Sequence, residues 1–329
     1  MKKILNAPAD YTDDMLRGIY ASHSDQVKYT ADCLRCYCSA KKTEGKVAIV
    51  TGGGTGHLPL FLGYVGEGML DGCAVGSVFQ SPSAEQIFEI TKEVNSGAGV
   101  LYLFGNYTGD TMNFEMSAEL CEMEDIEMRI VIGADDVNSG APEVRRGVAG
   151  IFFLYKAAGA KAAMMGTLDE VAAAAQKAKD ATRTVGFALT PCVIPEVGHP
   201  NFVLKDGEMA MGMGIHGEPG IWNGPIMTSK QIAEESLKTL LGDMPLAEGE
   251  EIALLVNGLG GTSIEELYIL CGDVIAQLKE KGVRVYRSFV GEYATSMEMM
   301  GASISICRLD EELKEYLDYP VHTPFYTQV

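Results

Sequence analysis

Three glycine-rich strings hold the residues of this chain best suited to chemistry. In Gly214-Ile215-His216-Gly217-Glu218-Pro219-Gly220, glycines and a proline flank a histidine, removing side chains so that another molecule can approach the imidazole closely. A lone histidine can equally be structural. Gly52-Gly53-Gly54-Thr55-Gly56-His57 offers bare backbone amides where a helix would begin, an arrangement suited to an anion or a hydroxyl-rich ligand. A tight turn would use the same glycines. It is not a Walker A loop, which needs Lys and then Ser or Thr after its last glycine, where His57 and Leu58 stand here. In Asn106-Tyr107-Thr108-Gly109-Asp110 a carboxylate follows a strand and precedes a helix, so Asp110 is either a helix-cap acceptor or a general base, and spacing alone favours the cap. Cys33, Cys36 and Cys38 suggest a metal site, but zinc needs a fourth ligand and no second C-x-x-C follows. Reduced thiols packed on a helix are expected, with no metal.

The elements that must position these residues alternate between strand and helix through the first half. Lys46 to Val50 is a β-branched run ending in Thr51 and the glycines, with Pro59 suited to a first helical turn. A capping box, Ser83-Ala84-Glu85-Gln86, opens a helix ahead of the buried strand Val100 to Phe104. Met112 to Met123 reads as helical, and Ile126 to Ile132 as the next strand. The pattern predicts an α/β fold with a largely parallel sheet, in which ligands sit at strand ends. A second capping box, Thr167 to Glu170, opens an alanine-rich helix running to about Asp180.

Beyond it the rhythm becomes α+β. Thr184 to Leu189, Phe202 to Leu204 and Met209 to Ile215 are strand-like, with Lys205-Asp206-Gly207-Glu208 as a hairpin turn between the last two. A helix from Thr228, a strand from Glu251 to Val256, a long helix from Ser263 and strands Val283 to Val290 and Ser303 to Leu309 complete the chain. Two domains are expected, 1–182 and 183–329, with the tail around Pro320 to Pro324 returning to the first.

Bulk properties narrow the function. The chain has 329 residues, 47% of them hydrophobic, enough for two cores. A net charge of −19 and the lack of a basic stripe argue against nucleic acid. The opening apolar stretch breaks at Asn6 and Pro8 and no later run is long enough to span a membrane, so a soluble, cytoplasmic protein with a small-molecule ligand is expected.

GGGTGH, NYTGD and GIHGEPG, in this order and with Gln80-Ser81-Pro82 and the closing VHTP, resemble the substrate-binding subunit family of dihydroxyacetone kinase (DhaK) over essentially the whole chain. The resemblance implies a homodimer of two-domain subunits in which a histidine adds to the ketone carbon of a small ketose, forming a hemiaminal. By motif position that histidine is His216. The carboxylate that activates the hydroxyl falls on Asp110, a further histidine on His57, and the substrate-cradling loop on Gly54, Thr55 and Gly56, with Ser81 nearby. At a helix N-terminus His57 would stay neutral. The resemblance further implies that this chain binds no cofactor. The phosphoryl donor, either ATP or ADP recharged by a phosphohistidine protein of the sugar phosphotransferase system, belongs to a separate nucleotide-binding kinase subunit.

Two departures point to a divergent branch. Many relatives have a lysine where Gly105 stands and a glutamate where Leu58 stands. Losing the lysine removes a charged hydrogen bond and empties room, which suits a four-carbon ketose such as erythrulose, or a ketose-sensing transcriptional coactivator without turnover.

Overall fold

The computed structural model describes residues 2–30 and 32–329. A short helix α1 (Tyr11–Ser22) precedes a six-stranded sheet made of β1 (Val27–Thr30), β2 (Cys33–Ser39), β3 (Ala48–Thr55), β4 (Gly72–Val78), β5 (Val100–Gly105) and β6 (Met128–Gly133), in the order β1-β2-β4-β3-β5-β6. The pairs β3/β4, β3/β5 and β5/β6 are parallel, while β1 and β2 add an antiparallel edge. Helices α2 (Ala84–Val94) and α3 (Thr108–Met123) cross between these strands, and α4 (Ile151–Ala163) and α5 (Leu168–Asp180) follow β6.

The second sheet runs β11-β10-β12-β7-β8-β9, from β7 (Thr182–Ala188), β8 (Glu208–Met211), β9 (Trp222–Pro225), β10 (Glu251–Gly258), β11 (Arg284–Gly291) and β12 (Gly301–Leu309). Only β10/β11 is parallel. Helices α6 (Ser229–Asp243) and α7 (Ile264–Glu280) cover it, and α8 (Glu311–Asp318) leads to the small pair β13 (Val321–His322) and β14 (Thr327–Gln328). Among the described residues no helix is long and apolar enough to cross a membrane.

The apolar runs follow from burial on both faces. In β5, Leu101 and Leu103 face a central core, whereas Val100, Tyr102 and Phe104 pack under α2 and α3. In β10, Ala253 and Leu255 join that same central core, while Ile252, Leu254 and Val256 pack under α6 and α7. One core, filled by α4 and α5, therefore lies between the two sheets and holds the strand ends of both in fixed relation.

Capping boxes at Ser83, Thr167, Thr228 and Ser263 start their helices as the sequence predicts. In the tail, His322 bridges Glu67, and the Thr323 hydroxyl donates to the Gly63 carbonyl at 2.8 Å.

Other expectations need correction. Cys33, Cys36 and Cys38 lie on strand β2, not on a helix, where Cys36 and Cys38 pack beneath α2. All eight cysteines are free, and no cluster of three or more His, Cys, Asp or Glu side chains suited to a metal occurs among the described residues. Phe202 to Leu204 forms no strand. The partners of β8 are β7 and β9, because the main-chain groups of Ala210 and Met211 pair with Ala188 and Phe187 on one side and with Asn223 and Trp222 on the other. The run after β3 is not an α-helix either. Gly53 lacks the Cβ that would stand 2.1 Å from the Phe61 ring, so the chain folds back against its own strand.

Candidate functional site

The three motif strings meet between the two sheets. His57 follows β3 and is fully buried. Its main-chain carbonyl accepts from Thr295 N at 3.1 Å, and its Nδ1 faces the Thr295 carbonyl at 2.8 Å. Because a carbonyl can only accept, Nδ1 carries the ring proton and Nε2 is left as an acceptor. That Nε2 is buried and has no partner. Burial, helped by the neighbouring His216, pushes the imidazole down to about 3, so the ring is neutral. Burial does what a helix N-terminus was expected to do.

The glycines of this loop allow close packing instead of presenting bare amides. A Cβ at Gly54 would lie 2.6 Å from Gln80 N and 2.7 Å from Phe79 Cα. Gly56 has φ +98° and leaves room for the Phe79 ring, which stacks on His57 with centroids 4.8 Å apart. Phe79 itself has φ +58°, a left-handed conformation that is costly for a bulky side chain and marks a constrained position. Thr55 is buried, and its hydroxyl meets that of Thr12 at 3.2 Å.

His216 lies in the loop between β8 and β9 and is partly exposed. Its ring meets those of His57, Tyr107 and Phe79 edge to face, with centroids 4.7, 4.6 and 5.2 Å apart. Nδ1 lies 2.9 Å from Glu218 Oε1, and the backbone N–H of His216 donates to Oε2 at 3.0 Å. Burial alone would raise the Glu218 carboxyl, but the hydrogen bond and charge of His216, with Arg146 behind, carry it down to about 2. The carboxylate thus holds the imidazole with Nδ1–H toward itself and leaves Nε2 free. Asn201 Nδ2 donates to the His216 carbonyl at 2.8 Å and fixes the loop from the other side.

Asp110 occupies the first turn of α3 and is buried. It does not cap the helix: the N-cap position is Tyr107, which makes no side-chain cap bond. Burial lifts its carboxyl to about 6, while the Ser81 hydroxyl and the His216 imidazole restrain the rise. Its Oδ1 has no partner. Ser81 is close by, with its hydroxyl 2.6 Å from where a Cβ on Gly109 would lie.

Gly105 ends β5 without the positive φ that favours glycine. A Cβ there would stand 3.2 Å from the Gly147 carbonyl and 3.3 Å from the Tyr107 ring, so the room expected from the missing lysine is already taken at its base. Sequence reasoning assigned no role to Glu218, although it sits two residues after His216 inside the quoted string. It also assigned no role to Tyr107, inside the quoted NYTGD string, and missed Phe79, Arg146 and Thr295, which lie outside the quoted strings.

The assembled groups are a histidine with a free Nε2, a second neutral histidine with an unpaired acceptor and a carboxyl poised near neutrality. They can hold and deprotonate a small polyhydroxylated carbonyl compound. Comparison with known proteins agrees. The Dak1 domain model matches residues 17–325. The chain is 42% identical to the PTS-dependent dihydroxyacetone kinase 1, dihydroxyacetone-binding subunit DhaK of Listeria innocua, covering 98% of this chain and 99% of that protein. It is 41% identical to the D-erythrulose kinase of Mycolicibacterium smegmatis, covering 99% of this chain and 56% of that one. Among solved structures, the dihydroxyacetone kinase operon co-activator DhaQ superimposes with a TM-score of 0.91 at 32% identity, covering 96% of this chain and 98% of that chain. This chain belongs to the Dak1 domain family, the family of the dihydroxyacetone-binding kinase subunits.

Proposed function

We propose that this chain is the ketose-binding subunit of a dihydroxyacetone-type kinase, holding its substrate as a hemiaminal on His216 while a separate nucleotide-binding subunit supplies the phosphoryl group. The observation that carries this reading is the 2.9 Å contact between His216 Nδ1 and Glu218, which leaves the Nε2 lone pair free. That pair attacks the ketone carbon. The C–N bond forms as the carbonyl π pair moves to oxygen, which takes a proton from solvent, while the ring, left cationic, passes its Nδ1 proton toward the Glu218 carboxylate, whose negative charge offsets it. A triose has about six heavy atoms, and at a ceiling of roughly 1.5 kcal/mol per atom few ligands of that size bind tightly by contact alone. A reversible covalent bond supplies the missing affinity, and it selects ketones and aldehydes over glycerol, which has no electrophilic carbon.

His57 then accepts a hydrogen bond from a substrate hydroxyl at Nε2, while Gly54, Thr55, Gly56, Ser81 and Gly105 border the substrate. Asp110 takes the proton of a terminal hydroxyl as that oxygen attacks phosphorus, and the bond from phosphorus to the donor breaks. At about 6, its carboxyl is mostly ionised at neutral pH and more basic than an ordinary carboxylate. No cofactor is assigned to this chain. The donor is ATP, or ADP recharged by a phosphohistidine protein. The Listeria relative's name makes ketose binding the task of one subunit of such a system. A homodimer and a division near residue 182, with His216 in the second domain, complete the proposal.

A second reading, a ketose-sensing coactivator, is favoured by the resemblance to DhaQ. A four-carbon substrate is favoured by the relative that is an erythrulose kinase. Mixing the purified chain with a nucleotide-binding subunit, its donor and either dihydroxyacetone or erythrulose separates these readings by phosphorus NMR. Ketose phosphate that forms only with both proteins supports the kinase. Ketose that binds but is never phosphorylated contradicts it and leaves the coactivator.

A further inference from the structure

Two consecutive arginines in the loop between β6 and α4 face different elements of the second sheet. Arg145 pairs with Asp243 at the end of α6, and its carbonyl accepts from Asn106 Nδ2 at 2.9 Å, which fastens the loop to the Asp110 string. Arg146 points toward the histidine. Its Nε and Nη2 both donate to Asp136 Oδ2, at 3.0 and 2.8 Å, and Nη2 also reaches the Gly212 carbonyl at 3.2 Å. Its Nη1 faces Glu218 Oε2 at 3.7 Å, too long for a hydrogen bond but close for opposite charges. The arginine side chain is only 15% exposed and that of Asp136 3%.

The loop carrying His216 is shaped around this pair. A Cβ at Gly214 would fall 2.1 Å from Glu218 Oε2 and 2.5 Å from Arg146 Nη1, so only glycine lets the two side chains meet. Glu218 bonds the imidazole through one oxygen and faces the guanidinium with the other.

We infer that Arg146, anchored by Asp136, is a positioning residue for the His216 chemistry: it fixes the Glu218 carboxylate against the imidazole and ties the histidine loop to the sheet that presents His57 and Asp110. The inference rests on the reading of His216 as the covalent nucleophile. The charged and titratable groups around the relay are Asp135, Asp136, Arg146, Glu218, Tyr107, His57 and Asp110.

Two readouts on the full-length protein test it: nitrogen-15 NMR of the His216 ring without ligand, and carbon-13 titration of adduct formation with [2-13C]dihydroxyacetone. Wild type should show a single tautomer protonated at Nδ1. Arg146→Gln should show mixed tautomers and weaken the adduct by about tenfold to a hundredfold, by analogy with losing the outer partner of a metal-bound histidine. Arg146→Lys should recover part of the loss. Gly214→Ala, which keeps both charges but wedges a methyl between them, should weaken the adduct as well, and it keeps the test alive if Arg146→Gln does not fold. Wild-type tautomer and adduct affinity in folded Arg146→Gln or Gly214→Ala would overturn the inference and leave the nucleophile reading standing. If wild type forms no adduct, the nucleophile reading falls, and the ligand-free tautomers alone decide whether Arg146 positions the ring.

Discussion

Glu218 holds His216 twice, through the ring at Nδ1 and through the backbone amide, with one carboxylate oxygen for each. The residue two positions along the chain thus sets both the orientation of the imidazole and the nitrogen that carries its proton. Glu218→Gln keeps the shape but loses the charge, and should weaken adduct formation by about tenfold to a hundredfold with little change in fold. The pH dependence has a definite sign. The folded carboxyl is held at about 2, below its ordinary 4.5, so its stabilisation is complete above about 4.5 and fades as pH falls toward 2. Urea titrations should show the gap between wild type and Glu218→Gln closing as pH falls from about 4.5 toward 2.

Asp110 has the opposite sign. Burial lifts its carboxyl from 3.8 to about 6, so the folded state loses stability as pH rises from about 4 to about 6, and the loss is complete above pH 6. Asp110→Asn should therefore be more stable than wild type at pH 7.5, by on the order of 2 kcal/mol, with the gain vanishing as pH falls below about 4. The same substitution should leave ketose binding measurable and lower phosphoryl transfer by roughly a hundredfold to ten-thousandfold. Equal losses of binding and transfer would contradict its role as base.

Much of this architecture was legible because it is local. Helix starts at Ser83, Thr167, Thr228 and Ser263 are written in four consecutive residues each, and β5 and β10 announce themselves as apolar runs because both their faces are covered. The GIHGEPG string marked His216, although its glycines serve packing: Gly214 admits Glu218 and Arg146, and Gly217 admits Asn201. What stayed hidden depends on distant partners. Arg146 meets Glu218 across more than seventy intervening residues, and Phe79 reaches His57 only once β3 and β4 pair. The glycines suggested an open anion loop after the strand, yet Gly53 and Gly54 lie within β3 and, with Gly56, admit Phe61, Phe79 and Gln80, which no local pattern reveals.

That packing gives a stability test. Gly54→Ala drives a methyl into the backbone of Phe79 and Gln80, atoms that cannot swing aside as a side-chain end could. It should cost about 1–3 kcal/mol in urea denaturation and disturb the Phe79 ring stacked on His57. A fully stable, fully active Gly54→Ala protein would show that the loop yields more easily than its contacts imply.

Gly105 tests substrate choice. Its φ tolerates a side chain, but the Gly147 carbonyl and the Tyr107 ring must give by a few tenths of an ångström to admit a Cβ. Wild type should accept four-carbon ketoses at least as well as dihydroxyacetone, and Gly105→Lys should shift the ratio of kcat/KM toward the triose by adding a charged donor. The melting temperature, measured alongside, should fall slightly. A ratio left unmoved in a folded variant would remove residue 105 from the pocket's selectivity.

The central claim is that His216 Nε2 forms a covalent bond to the ketose, and one spectrum tests it most directly. On adding [2-13C]dihydroxyacetone to the full-length protein, the labelled carbon should leave the carbonyl region and appear as a saturated carbon bearing oxygen and nitrogen, one equivalent per chain. The signal should be absent in His216→Ala, whose flanking glycines leave the fold able to accept the smaller side chain. A bound ketose whose labelled carbon stays in the carbonyl region in wild type, or an adduct signal that survives in His216→Ala, would contradict the account.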